Sequence, residues 1–277
     1  STVTLEDTNA IDLAATMATG ALAVTAGGAI TQTGAIAAST TSSFTTSTDG
    51  SNIILDHASN AFTGQVSLKA DTGGNENFGN ITFIDDSAVK LDANADAAGD
   101  LFIDAATDGA VGGNLAVTAT TGNITQDGSL VLAVTGTSTL TTAAADASIT
   151  LGTATNALGG NVILSTTGTA GHATIDNGTT ALGVQGTVNG NLVLTSGDAI
   201  TDSAVLTVSG TTGVTTDINN KAITLDQLSS TGVVTIATQG TTGHVTLVNA
   251  SGLALQGTSS GNLSATATTG DISDSGA

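Results

Sequence analysis

A repeated block limits the fold of this 277-residue sequence more than any other feature does. The segment that begins at Thr2, TVTLEDTNAIDLAATMATGALAV, returns in degenerate form at Asn80, His172 and His244, so the sequence numbers of successive block starts differ by 78, 92 and 72. Self-similarity at a regular period is the signature of arrays in which each unit stacks on its neighbours. The sequence therefore predicts a stacked repeat architecture.

Two further blocks support the same periodicity. NIILDHASNAFTGQVSLKAD begins at Asn52 and is matched by segments that begin at Ala147 and Lys221. GNLAVTATTGNITQDG begins at Gly113 and returns at Gly261 as GNLSATATTGDISDSG. Because all three blocks recur in the same order, the repeats are in register along the chain.

The second of the three intervals exceeds the first by 14. The excess lies where GDLFIDAATDGAV precedes GGNLAVTATTG. We therefore expect a partial duplication or an inserted coil segment at residues 99–112. We expect residues 1–277 as a whole to form a single continuous solenoid segment, a slice of a longer repeat array.

Within the repeats, apolar residues alternate with polar or small ones over runs of three to six residues, separated by TG, NG, GG, DG and SG turns. This period of two is typical of β-strands with one buried face. Proline, which cannot donate a ladder hydrogen bond, is absent from the chain. The alternation predicts that the following side chains are buried: Leu132, Val162, Leu164, Leu192, Leu194, Ile223, Leu225, Val234, Ile236 and Leu255.

Two all-β architectures are compatible with short strands. Antiparallel sandwiches of the immunoglobulin kind repeat about every 100 residues and carry a buried aromatic anchor, whereas this chain has no Trp or Tyr. A parallel β-helix stacks coils about 4.8 Å apart. The 72–78-residue repeats hold roughly nine short strands, so three strands per coil would give about three coils of about 25 residues each. The expected fold is therefore a parallel β-helix, or β-solenoid.

The composition argues against several functions. The chain has 23 acidic residues against three lysines (Lys69, Lys90 and Lys221) and a net charge of −20, so it repels nucleic acids and anionic membrane surfaces. It has no Arg for a bidentate phosphate clamp and no Cys for disulfides or thiol catalysis. No stretch is apolar enough to predict a transmembrane span.

The GNLxxTATTGxIxxxG blocks, the xITL strands and the TGTSTLTT-type run at 135–142 resemble the repeats of filamentous-haemagglutinin-like adhesins. The likeness extends over essentially the whole chain. It implies a right-handed parallel β-helix, an extracellular or bacterial cell-surface location, adhesion and export by two-partner secretion. The Asn-Pro motifs of the family's secretion domain have no counterpart here, because the chain contains no Pro.

One acidic cluster, LDANADAAGD, is a weak calcium candidate. It consists of Asp92, Asn94, Asp96 and Asp100. The D-x-N-x-D spacing matches the start of an EF-hand loop, but the sixth position is Ala97 instead of Gly and the twelfth is Ile103 instead of Glu. Because Asp and Asn are also ordinary turn residues, we expect a turn, and no metal or other cofactor.

The three histidines show no shared metal-binding spacing. His172 and His244 occupy the same position in two repeats, and His57 follows Asp56 in a different block. Adjacent residues in a strand point to opposite faces, so Asp56 and His57 would make a poor catalytic dyad. We interpret all three histidines as turn or surface residues.

Three functions can be compared with these patterns. A TATTG motif occurs at 118–122 and 266–270, but an ice-binding face needs T-x-T once in every coil. A polysaccharide-active β-helix enzyme needs paired carboxylates in a groove lined by aromatic residues, and the Asp residues here are scattered. We therefore expect no enzyme activity and a structural role, as a stalk or fibre segment of a large bacterial adhesin that mediates attachment or biofilm-matrix formation.

The sequence does not name a binding residue. A surface receptor, a glycan or a matrix component is the expected partner of such an adhesin, and nucleic acid is not. The alternative is a filament of the extracellular matrix or sheath, in which chains self-associate through coil ends or side faces.

Overall fold

A computed structural model describes residues 2–70, 79–92, 100–103 and 110–276. In these residues the secondary structure consists of β-strands, turns and bends, without a helix. No helix of the described residues is therefore long and apolar enough to cross a membrane. The chain divides into two compact units, residues 1–143 and 144–277.

The strands of the first unit are short, most of them two to five residues long, as the short alternating runs predict. They are β1 (Val3–Asp7), β2 (Ile11–Leu13), β3 (Thr16–Ala18), β4 (Leu22–Ala26), β5 (Ile30–Gln32), β6 (Ile36–Ala38), β7 (Ser42–Thr46), β8 (Ile53–Leu55), β9 (Ala61–Phe62), β10 (Val66–Ala70), β11 (Ile81–Asp85), β12 (Val89–Asp92), β13 (Asp100–Ile103), β14 (Ala110–Val111), β15 (Leu115–Ala119), β16 (Ile124–Gln126), β17 (Ala133–Val134) and β18 (Ser138–Ala145), whose last two residues belong to the second unit.

These strands form parallel sheets that run along the stacking direction. The first sheet has the order β1-β4-β7-β10-β13-β12-β16, the second β2-β5-β8-β11-β15-β18, and the third β3-β6-β9, with β14 paired to β17. Val3 pairs with Leu22, Leu22 with Ser42 and Ser42 with Val66, so the sequence number advances by 19, 20 and 24 from one coil to the next. The predicted parallel β-solenoid is therefore confirmed, with coils slightly shorter than the expected length of about 25 residues.

An extra strand interrupts the coil order in the first unit. β13 pairs with both β10 and β12, although β12 precedes it in the chain. The predicted insertion at 99–112 is described only in part, since residues 93–99 and 104–109 lie outside the described residues. The partial duplication therefore stays a prediction.

The second unit has longer strands. They are β19 (Ile149–Leu151), β20 (Ala157–Leu158), β21 (Asn161–Thr167), β22 (Ala173–Asp176), β23 (Leu182–Val188), β24 (Leu192–Ser196), β25 (Ile200–Val208), β26 (Thr212–Asn219), β27 (Ile223–Ser230), β28 (Val234–Gln239), β29 (Val245–Asn249), β30 (Leu253–Thr258), β31 (Leu263–Ala267) and β32 (Ile272–Asp274). One parallel sheet has the order β19-β22-β24-β26-β28-β30-β32 and the other β21-β23-β25-β27-β29-β31.

The prediction of three strands per coil holds for β1–β9 and is wrong for the coils from β22 onward, which have two strands. The reason is that one bent strand replaces two short ones. β23, β25 and β27 each contain a register irregularity, the first between Val184 and Gly186. Gly186 has φ of 114°, a conformation that glycine adopts without strain, and a Cβ there would lie 2.1 Å from the Leu164 carbonyl oxygen. These bulges bend the strand without ending it.

Each sequence repeat spans about three and a half coils, close to the expected number of about three. In the second unit, Ala173, Leu192, Thr212 and Val234 follow one another in one sheet, and their sequence numbers advance by 19, 20 and 22. The equivalent of Ala173 in the next repeat, Val245, lies in the other sheet. In the first unit the same relation joins β1 and β11, which carry equivalent sequences in different sheets. Equivalent positions therefore alternate between two faces of a unit.

The interior is narrow and apolar. Nine of the ten predicted core residues are at most 2% exposed. The prediction is wrong for Leu255, which is half-buried because its neighbour in the last strand, β32, is the exposed Asp274. In the first unit, three phenylalanines stack along the core. The ring centroids of Phe44 and Phe62 are 6.0 Å apart, and those of Phe62 and Phe83 are 5.4 Å apart, within the range of favourable aromatic pairs.

Candidate functional site

The histidines hold turns together by hydrogen bonds. His172 Nδ1 accepts the Asn191 N–H at 2.8 Å, and His244 Nδ1 accepts the Asn262 N–H at 2.9 Å. Both bonds join one coil to the next. His57 Nδ1 accepts the Ser59 N–H at 3.1 Å. In all three histidines Nδ1 accepts a backbone amide, so the interpretation of these histidines as turn residues fits their contacts.

Asparagines form the same coil-to-coil ladder at equivalent turns. In the first unit, Asn52 Oδ1 accepts the Asn80 N–H, Asn80 Oδ1 accepts the Asn114 N–H, and Asn114 Oδ1 accepts the Thr137 N–H, each at 2.8 Å. In the second unit, Asn191 Oδ1 accepts the Thr211 N–H at 2.9 Å. His and Asn therefore perform one structural task, which explains why both occur at the first position of the repeated block.

Asp56 and His57 do not lie in a strand, contrary to the prediction. β8 ends at Leu55, and both residues belong to the turn that leads to β9. The strand argument against a dyad therefore fails. The His57 imidazole nevertheless has its Nδ1 occupied by the Ser59 amide.

The structure describes only part of the calcium candidate. Asp92 ends β12 and is 3% exposed. Lys90 Nζ donates a hydrogen bond to Asp92 Oδ2 at 2.5 Å, so the two residues form an ion pair. Lys90 also lies 3.5 Å from Asp127. Asn94 and Asp96 lie outside the described residues, and only the backbone of Asp100 is described, at the start of β13. Calcium binding by this cluster is therefore neither supported nor contradicted.

A second set of polar side chains is buried inside the coils. Asp85, Asn177 and Asn249 are at most 3% exposed, and all three are the sixth residue of a repeated block. Each accepts a backbone N–H of another coil through Oδ1, from Phe62 at 2.9 Å, from Leu158 at 2.7 Å and from Ser230 at 2.8 Å respectively. We call these three residues the interior polar column. They align in the sequence repeats, but the sequence did not show that their side chains point inward.

The electrostatics separate buried from exposed carboxyls. Burial raises the pKa of Asp85, and the neighbouring Asp86 charge raises it further, although amide and hydroxyl bonds oppose the shift. Burial also raises the pKa of Asp202, which accepts the Gln227 and Asp226 amides. Backbone N–H bonds from Ala170 and Thr169 lower the pKa of exposed Asp146. Burial therefore dominates the pKa of Asp85 and Asp202, whereas backbone hydrogen bonds dominate the pKa of Asp146.

Two open grooves accompany the coils. One, of about 650 Å³, lies along β28, β30 and β32 and includes Gln256 and Asp274; the other, of about 600 Å³, includes Glu6 and Asp7. Asp274 accepts the Gly276 N–H, and Asp7 accepts the Asn9 N–H. Among the described residues, no three His, Asp or Glu side chains converge on a point that could hold a metal ion. Asp7 and Asp274 each accept an amide within their own turn and thereby stabilise it.

One outward face of the second unit carries a row of hydroxyl residues. Thr201, Thr224, Thr246 and Ser264 follow one another through successive coils. The residue two positions after Thr246 is Val248, so the T-x-T pattern fails there. This sheet therefore lacks the T-x-T in every coil that an ice-binding face needs.

Comparison with known proteins places the chain by its repeats. A family model described as Repeats of unknown function (DUF5649) matches residues 1–69, 78–165, 170–237 and 242–277. These four matches begin within two residues of the block starts that the sequence indicates. No curated protein and no solved structure matches the chain. Because the four matches together cover most of its length, the chain belongs to the family of DUF5649 repeats.

Proposed function

We propose that this chain is a structural spacer, a stalk or fibre segment of a large bacterial surface or secreted adhesin. The observation that carries the proposal is the continuous parallel ladder in each unit, in which the polar side chains that could do chemistry instead join one coil to the next. The Asn52–Asn80–Asn114 ladder in the first unit and the His172–Asn191 ladder in the second are examples.

The distribution of equivalent residues supports a spacer over a repeated binding face. Each repeat occupies about three and a half coils, so a motif that occurs once per repeat moves to the opposite sheet and is displaced by roughly 17 Å along the stack, at about 4.8 Å per coil. A repeated binding epitope on one face would need a whole number of coils. A spacer has no such requirement.

The charge also suits an extended extracellular segment. A net charge of −20 with three lysines keeps the surface soluble and opposes lateral aggregation. The resemblance of the GNL and TATTG blocks to filamentous-haemagglutinin-like repeats supports the adhesin context and the bacterial cell-surface location. In such an adhesin the receptor, glycan or matrix component would be bound elsewhere, and this segment would set the distance.

Removal of one whole coil tests the spacer role. Leu192 pairs with Thr212, so deletion of residues 192–211 removes one coil and leaves the flanking strands in register. Deletion of residues 192–201 removes half a coil and is the matched control. A spacer should keep its strand circular dichroism and cooperative melting after the first deletion and lose them after the second.

A binding screen complements the deletions. The intact chain, immobilised through either terminus, is presented to glycan arrays and to extracellular matrix proteins. We expect no saturable binding. Saturable binding that the one-coil deletion abolishes would overturn the spacer role, and so would failure of the one-coil deletion to fold while the half-coil deletion folds.

A further inference from the structure

Asp85 occupies a position that the second unit gives to asparagine. It is the sixth residue of the block that begins at Asn80, and Asn177 and Asn249 are the sixth residues of the blocks that begin at His172 and His244. All three side chains are buried. A buried carboxyl therefore stands in the first unit where the equivalent side chains of the second unit are amides.

The two amides make a complete set of bonds. Asn177 accepts the Leu158 N–H at 2.7 Å and donates Nδ2–H to the carbonyl of the same residue at 3.1 Å. Asn249 accepts the Ser230 N–H at 2.8 Å and donates to the Ser230 carbonyl at 2.9 Å. Each amide also donates to the carbonyl three residues further along its own turn, Thr180 or Gly252. Each side chain thus pairs with the neighbouring coil as a strand residue would.

An ionised Asp85 lacks the donor half of this set. Its Oδ1 accepts the Phe62 N–H at 2.9 Å and its Oδ2 accepts the Ser87 hydroxyl at 2.6 Å. The Ser87 hydroxyl also lies 3.1 Å from the Ala88 carbonyl, which corresponds to the Thr180 and Gly252 carbonyls. Because Ser87 has one hydroxyl hydrogen, it serves either the carboxylate or that carbonyl.

The surroundings disfavour a charge. Asp85 lines a void of about 10 Å³ together with Phe62, Phe83 and Val89, and no other polar side chain of the described residues lines it. Its neighbour Asp86 carries a like charge, and Lys90 on β12 is engaged by Asp92. Among the described residues, the other ionisable groups on the neighbouring strands and turns are Asp56, His57 and Lys69, and Asp100 begins β13. Burial accordingly raises the pKa of Asp85.

We propose that Asp85 stabilises its coil of the first unit at low pH. Its neutral carboxyl supplies the hydrogen-bond donor that Asn177 and Asn249 supply in the second unit. One proton from solvent binds Oδ2, and the resulting O–H donates to Ser87 Oγ or to the adjacent coil. The Ser87 hydroxyl is then free to donate to the Ala88 carbonyl. Loss of this proton leaves a buried charge and one donor too few, and favours local opening of the coil that contains β9 and β11.

The direction with pH follows from linkage. A carboxyl whose pKa is raised on folding stabilises the folded form at low pH, and this advantage is lost as the pH rises from its ordinary value of 3.8 through the higher folded value. Hydrogen-exchange protection of the Phe62 amide, corrected for the intrinsic exchange rate, should therefore fall between pH 3.5 and 7.

Four variants of the full chain isolate the carboxyl. Asp85→Asn should make the protection of the Phe62 amide independent of pH, whereas Asp86→Asn, at an exposed neighbour, should retain most of the dependence. Asn177→Asp should create the same dependence at the Leu158 amide, and Asn249→Asp at the Ser230 amide. An unchanged pH dependence in Asp85→Asn would overturn the proposal. The proposal would also be overturned if the Leu158 amide in Asn177→Asp and the Ser230 amide in Asn249→Asp were equally protected at both pH values. These two measurements remain informative even if Asp85→Asn does not fold.

Discussion

Leu194 is the residue at which the coil assignment can be tested most simply. It is the third residue of β24 in the second unit, is 0% exposed, and pairs with Ile175 on one side and Val214 on the other. The next residue toward the amino terminus, Val193, is 45% exposed. The two side chains therefore point to opposite faces of one strand and form a matched pair.

The magnitude follows from the carbon atoms removed. Leu194→Ala deletes three buried carbons, worth about 2.4 kcal/mol at roughly 0.8 kcal/mol each, and the cavity left in a narrow core raises the expected loss of unfolding free energy to about 3–4 kcal/mol. Val193→Ala removes two exposed carbons and should change the free energy by about 0.5 kcal/mol or less. Leu194→Asp buries an unpaired charge and should cost more than Leu194→Ala.

Far-UV circular dichroism during urea unfolding measures these differences, since the chain has no Trp or Tyr for fluorescence. Hydrogen exchange should also show that Leu194→Ala loosens β22 and β26 before more distant strands, because stability in a solenoid is carried by neighbouring coils. Equal losses for the two alanine variants, or a larger loss for Val193→Ala, would refute the register, because a shift of one residue exchanges the two faces.

Three further substitutions test the turns, each by thermal or urea unfolding. His172→Asn should keep the ladder and the stability, whereas His172→Ala should lose about 1 kcal/mol; equal losses would contradict the acceptor role. Gly186→Ala should destabilise by about 1–3 kcal/mol because of its positive φ, and further because its Cβ would lie 2.1 Å from the Leu164 carbonyl oxygen. Gly213→Ala, whose new Cβ would meet its nearest atom at 3.9 Å, should be tolerated; similar effects of the two substitutions would argue against the bulge. Asp146 contributes stability above pH 3.8 that is lost as the pH falls through its lowered pKa. Asp146→Asn introduces the amide that Asn220 already uses to accept two backbone N–H groups, and it should remove that acid dependence. An unaltered pH profile of stability would contradict this role of Asp146.

The sequence predicted the parallel solenoid because its alternation is strict where strands form. Val162 and Leu164, or Ile223 and Leu225, point inward in a simple period of two. It overestimated the strands per coil because a bulge such as that at Gly186 lets one long strand turn a corner, and in the sequence such a corner looks like two strands.

The interior polar column could be seen but not interpreted from sequence. Asp85, Asn177 and Asn249 align in the repeats, yet Asp and Asn are ordinary turn residues, and nothing local shows that they face the core. The half-coil offset was hidden for a similar reason. The spacing of the block starts measures the repeat but not the coil, whose length is set by backbone pairing such as that of Ala173 with Leu192.

The central claim, a solenoid whose sequence repeat ends half a coil out of phase, can be tested by one distance measurement. Thr174 and Thr246 are equivalent residues of two consecutive repeats, and both side chains face outward from sheets of the second unit.

The chain has no Cys, so Cys substitutions give unique sites for spin labels. The distance between two labels is measured by double electron–electron resonance and, at short range, by continuous-wave line broadening. The half-coil offset predicts that the two labelled residues lie on opposite faces, with backbones about 17 Å apart along the stack and about 10 Å apart across the sheets, hence about 20 Å apart in total. The labels project outward from the two faces and should be further apart still. A Thr174–Thr235 pair on one face, three coils apart, should give about 14 Å. A Thr174–Thr246 distance as short as that of the control pair would contradict the half-coil offset.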